Sequence, residues 1–204
     1  MIVLLALAFA GTEPRPQYEF SRCFTSKNRQ AARALLAATN ATEASKHIKQ
    51  IRLKTACTLK GPTSGFYNYE VTGASVDSLR AYVAEILLKE EPTKSAVLPA
   101  LSPQRLYDRP WYPATSRPVA MDEMATCVAE TNPSGVVRLI QTVSDSPQES
   151  AVFKSLTDSL VSCLRSDVKL VGNRQVVRGA LADAFYQRTQ PWPAVTPAQP
   201  GAAR

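Results

Sequence analysis

The sequence predicts a mainly α-helical protein: a tandem duplication of one four-helix module, each copy closed by an internal disulfide. Three observations point there. Segments at helical spacing recur in the same order in the two halves of the 204-residue chain. The four cysteines fall at matching places in those halves. Apolar residues recur every three or four positions, separated by residues that start and stop helices. An apolar fraction of 45% is ordinary for a globular protein, so material for a core is present.

The repeat appears when Cys57 is laid on Cys163. Reading backwards, "RALLAATNATEASKHIKQIRLKTAC" lies over "VRLIQTVSDSPQESAVFKSLTDSLVSC". Leu35 and Leu36 then match Leu139 and Ile140, and Glu43 matches Glu149. Cys23 and Cys127 each precede the helix carrying those leucines. Reading forwards, Arg80 meets Arg178, Ala84 meets Ala182 and Glu85 meets Asp183. Ser75 falls on Asn173, both good N-cap residues. The organisation expected is a first repeat over 18–90, a proline-rich strap over 91–119 and a second repeat over 120–188. A tail over 189–204, rich in proline and alanine, is expected to be disordered.

In the first copy, helices are expected before and after Cys23, over "EASKHIKQIRLK" and through Arg80. Between Cys57 and Ser75 the turn signals Gly61-Pro62 and Ser64-Gly65 flank the alternating stretch "FYNYEV". A short β-hairpin is expected there, with Phe66, Tyr67 and Tyr69 covering one end of a small core or offering a contact surface. The strap holds six prolines, which exclude continuous helix because each removes a donor and fixes φ. Leu98, Leu101, Leu106, Tyr107, Trp111 and Tyr112 make it too apolar for a solvated tether, so it should lie along the modules.

The second copy is punctuated more clearly. Asp122 is placed to cap a first helix through Cys127. Asn132-Pro133 opens a second, with proline at the first helical position. Ser146-Pro147-Gln148-Glu149 opens a third with a capping-box glutamate. That helix sets Val152, Phe153, Leu156, Leu160 and Cys163 on one face. Asn173 opens the last, with Val177, Leu181, Ala184 and Phe185 inward.

Residues 1–10 are an apolar run ending Ala8-Phe9-Ala10, the small-x-small pattern of a signal peptide, with Gly11 as the expected first mature residue. No Lys or Arg precedes the run. It is too short to span a bilayer as a helix, and nothing else approaches membrane-spanning length. The expectation is an exported protein, periplasmic or secreted. Four cysteines in such a chain read as disulfides, and the duplication selects Cys23–Cys57 and Cys127–Cys163. Closing loops of that size stabilises a small module by about 3–4 kcal/mol in the chain-entropy model.

The formal net charge of +7 is concentrated between Arg22 and Lys60, where nine Lys or Arg face one acid, Glu43. Lys46, Lys49, Arg52 and Lys54 surround an Ile48/Ile51 edge, a basic amphipathic helix suited to an anionic surface or to plain solvation. Nucleic acid is disfavoured, since no aromatic residues interleave the basic stretch. The sole histidine, His47, sits between lysines with no nucleophile in a recognisable setting. No cofactor loop or metal-ligand cluster is evident. Glu85, Asp122, Glu123, Glu130 and Asp183 are the only candidates for a glycosidase-like pair.

The cysteine spacing, the paired-leucine elements "RALLAAT" and "VRLIQTV" and the closing "RGALADAFY" together resemble an uncharacterised family of exported bacterial proteins. The first copy departs at "RAYVAEILL", where glycine becomes alanine and the final tyrosine is lost. The resemblance brings no activity, cofactor or functional residue. The function expected is a non-catalytic helical interaction or envelope-associated module whose partner is a protein or an anionic envelope surface. Its alternatives are a carrier of an apolar or lipid ligand between the repeats and a cryptic hydrolase.

Overall fold

The structure, a computed structural model, describes residues 16–54, 57, 59–60, 66–67, 76–91, 98–165, 168 and 174–190. The expected signal peptide, most of the tail and the Asn173 cap lie outside them. Eight α-helices carry the fold: α1 (Pro16–Lys27), α2 (Arg29–Ala37), α3 (Ala41–Lys54), α4 (Val76–Glu90), α5 (Val119–Thr131), α6 (Pro133–Gln141), α7 (Pro147–Cys163) and α8 (Arg174–Arg188). Both disulfides are closed, Cys23 to Cys57 and Cys127 to Cys163. The first ties α1 to the chain just past α3, and the second ties α5 to the last residue of α7.

Helix starts follow the local chemistry. The Asn132 side chain accepts from Gly135 N at 3.0 Å, and Pro133 fills the position where no N–H is needed. Ser146 Oγ accepts from Glu149 N at 3.1 Å, while Glu149 reaches back to Asp145 N at 2.8 Å. The first half writes the same device differently. Asn40 Oδ1 accepts from Glu43 N at 2.9 Å, and Glu43 accepts from Thr39 N at 3.0 Å. In both, the glutamate takes the N–H one residue before the cap rather than the cap's own. Asp122 is not the expected cap. Pro118 precedes α5, and Asp122 lies buried in its first turn, hydrogen-bonded to side chains of the strap.

The expected hairpin is reduced to Leu59 opposite Tyr67 and Lys60 opposite Phe66. Residues 61–65 and 68–75 lie outside the described ones, as do the side chains of Phe66 and Tyr67. Two residues a side, without a described turn, do not make the hairpin an established element.

The most extensive helix–helix interface joins α4 to α8, one from each half. α1 packs on α4 and α5 on α8, while α2–α3 and α6–α7 form the outer pairs. Apolar faces from both halves meet in a single core. Phe24, Leu35, Leu36 and Leu87 come from the first half, Met124, Leu139, Leu156, Leu181 and Phe185 from the second. The repeats expected from the sequence therefore do not keep separate cores. The strap closes one side. Trp111 is 1% exposed, Tyr107 and Tyr112 are buried, and the Tyr112 hydroxyl donates to Thr126 Oγ1 at 2.9 Å. Leu101 and Leu106 depart from the expected burial and face solvent.

At the α4–α8 crossing the backbones approach closely. A Cβ placed on Gly179 would lie 2.6 Å from the Ala81 Cβ, an atom fixed directly to backbone. Gly179→Ala should therefore destabilise the protein by about 1–3 kcal/mol in chemical denaturation, despite alanine's better helix propensity. Adding Ala81→Gly should recover part of that loss, giving a non-additive double-mutant cycle.

Candidate functional site

Arg80 on α4 and Arg178 on α8, aligned with each other in the sequence comparison, each have a carboxylate five residues on. Five positions do not stack on an ideal helix, so neither arginine can pair comfortably within its own helix. Each crosses to the other. Arg80 reaches Asp183 through Nε at 3.1 Å and Nη2 at 3.3 Å. Arg178 reaches Glu85 through Nε at 2.9 Å and Nη2 at 2.8 Å. The Arg80 and Asp183 side chains are 0% exposed, Arg178 3% and Glu85 6%.

The same guanidinium groups also bind helix ends. Arg80 donates to the Leu35 and Leu36 carbonyls at 2.7 and 3.2 Å; Arg178 donates to those of Leu139 and Ile140 at 2.9 and 3.1 Å. These carbonyls belong to the last turns of α2 and α6, where backbone donors run out and the helix dipole is negative; Leu139 O also accepts from Thr142 N at 3.1 Å and Thr142 Oγ1 at 2.7 Å. The leucine pairs matched in the sequence are thus the acceptors of the arginines matched in the sequence.

Around this shared frame the halves differ. Asp183 also binds Arg117 of the strap at 2.9 Å, and Arg117 binds Asp122 at 2.6 Å. Arg178 also binds Glu149 at 3.0 Å, and Glu85 also accepts from Lys89 at 2.7 Å. Each side holds two cations and two carboxylates. Burial alone would raise Asp183, but the charges and hydrogen bonds of Arg80 and Arg117 hold it below the usual carboxylate range. Burial likewise works against Glu85, and Arg178 with Lys89 outweighs it, so Glu85 is lowered too. Asp122 goes the other way: burial raises it, helped by the neighbouring Asp183 charge, although Arg117 and Thr115 oppose.

A cleft of about 240 Å³ opens where α4 and α8 cross. Glu85, Arg178 and Gly179 line it beside Ala81, and Asp77, Tyr82 and Arg117 contribute to its wall. Of the five carboxylates considered for catalysis, Glu85, Asp122 and Asp183 belong to the buried network. Glu130 is held by Arg109 at 2.6 Å and Gln104 at 3.1 Å, and Glu123 lies 3.9 Å from Arg165. His47 lies beside Glu43 at 4.0 Å. Among the described residues no group of His, Cys, Asp or Glu could hold a metal ion. Nor is any helix long and apolar enough to cross a membrane.

Lys46 and Lys49 are exposed on α3 as the basic-face reading requires; the side chains of Arg52 and Lys54 lie outside the described residues. Sequence reasoning missed Arg117. It sits among prolines in a segment without periodicity, and only the fold brings it between Asp122 and Asp183. The chain matches no family profile, no curated protein and no solved structure.

Asp183→Asn would leave Arg80 and Arg117 buried against a neutral amide, and should cost about 3–5 kcal/mol of unfolding free energy. Acid should do the same reversibly. Asp183 and Glu85 bind protons less readily folded than unfolded, so their stabilisation is complete above the ordinary carboxylate range of about 3.9–4.3 and disappears as pH falls through their lowered values. Asp122 contributes in the opposite sense, costing stability at neutral pH and less as it protonates. Urea midpoints measured against pH should fall steeply below that range, and less steeply in Asp183→Asn.

Proposed function

We propose that this chain is an exported, non-catalytic binding module, built by duplication of a four-helix unit, that docks on an anionic envelope surface through the α3 face. The observation that carries the reading is how the charges are distributed. Inward, Arg80 pairs with Asp183 and Arg178 with Glu85 across the two halves, so these charges are used in packing. Outward, α2's Arg29 and Arg33 are neutralised by Glu90 and Glu91. On α3, Lys46 and Lys49 stand exposed with only Glu43 nearby on the same helix.

Duplication is supported by the equivalence of Arg80 with Arg178, Glu85 with Asp183, and the two leucine pairs, in both sequence and contacts. Export is supported by the apolar leader read from the sequence and by two disulfides, which persist in oxidising compartments. A carrier of apolar ligands finds less support, because the core is filled by one continuous cluster and the cleft opens onto charged and amide groups.

The protein should sediment with vesicles containing anionic lipid at low salt and release as salt rises, because exposed charges are screened. Reversal of Lys46, Lys49, Arg52 and Lys54 to glutamate should abolish sedimentation while leaving the helical signal unchanged. Binding that survives this fourfold change, or that ignores salt, would overturn the proposal.

A further inference from the structure

The cleft at the α4–α8 crossing carries a second inference, independent of the α3 surface, since α3 contributes no residue to it. Most of its charged lining is already satisfied. All three nitrogens of Arg178 donate to carboxylates, carbonyls or Thr142, and both oxygens of Glu85 accept from Arg178 or Lys89. These groups form a neutral floor.

Two groups in the lining have capacity left. The Arg117 side chain is 4% exposed, its Nε and Nη2 are taken by Asp122 and Asp183, and the guanidinium lies 5.9 Å from the Trp111 ring, but Nη1 makes no hydrogen bond among the described residues. Asp77 accepts one bond at each oxygen, from Ser116 N at 3.0 Å and Ser116 Oγ at 2.5 Å, leaving further lone pairs. The two attract each other through space, yet no ion pair joins them. A cation with an open donor and a carboxylate with open acceptors therefore line the same small cleft.

A lone anion entering this space would reach Arg117 and meet Asp77; a lone cation would meet the converse. A ligand carrying both charges offers an acceptor to Arg117 and a donor to Asp77 without adding net charge. The volume is below the roughly 300 Å³ at which drug-sized pockets begin, which favours something small. Tyr82 and Gln17, on the same lining, supply an aromatic face and an amide for the remainder. We propose that the cleft binds a small zwitterion of the α-amino-acid type, its carboxylate on Arg117 Nη1 and its ammonium on Asp77.

The test is an amide NMR titration of the full oxidised chain with L-alanine, and separately with acetate and with ethylamine as the two half-ligands. Alanine should shift the Ala81 and Gly179 amides saturably, and each half-ligand should need about tenfold more to do so. Asp77→Asn should weaken alanine by about tenfold while leaving acetate as strong as before or stronger. Acetate matching alanine would reduce the cleft to an anion site and overturn the proposal, as ethylamine matching it would in the other direction. An absence of saturable shifts up to about 50 mM alanine would overturn it outright. The half-ligand comparison needs no variant, so it decides the matter even if Asp77→Asn disturbs the Ser116 turn.

Discussion

Two arginines, each buried at the seam between the halves, set the arrangement of this protein. Removing a guanidinium from water is expensive, and the cost is offset only when nearly every donor finds an acceptor. Arg80 and Arg178 meet that condition in one geometry, with α4 and α8 antiparallel and Ala81 against Gly179. A slide of one helix along the other would strand a charge in the core. Greasy contacts alone would tolerate several registers; the crossed pairs tolerate one. Whether they also add net stability is a separate matter, since well-packed apolar replacements of buried ion pairs are often as stable.

Each arginine does a second task by closing a helix end. Leu35, Leu36, Leu139 and Ile140 are buried in the last turns of α2 and α6, and the arginines supply donors to their carbonyls. One side chain therefore orients three helices: its own, the one supplying the carboxylate, and the one supplying the carbonyls. The two halves differ around these arginines. The second uses Glu149 on Arg178, while Glu43, aligned with it in the sequence, is a partly exposed cap. Beside the Arg80–Asp183 pair, Arg117 brings the strap into contact with α5 and α8 at once.

Much of the frame was legible because it is periodic or punctuated. Cysteine positions, the caps at Asn132 and Ser146, and the apolar faces of α7 and α8 are local signals, and local signals survive without knowledge of tertiary structure. The arginine–carboxylate spacing was legible as a puzzle: it excluded an intrahelical pair without naming the partner. What could not be read was anything depending on the relative placement of the halves. The merged core, the cleft and the role of Arg117 arise only when distant segments meet. Asp122 was misjudged for a related reason. An acid near a helix start looks like a cap, but the fold turns it inward toward an arginine of the strap.

The sulfur bridges join α1 to the chain just past α3, and α5 to the end of α7, and neither touches the crossing. Integrity within a half and cohesion between halves thus answer to different chemistry. A reductant attacks the first and leaves the charge pairs intact; strong acid loosens the second and leaves the covalent staples in place. Because the halves share one apolar core, these two chemistries act as separate levers on the stability of a single folded unit.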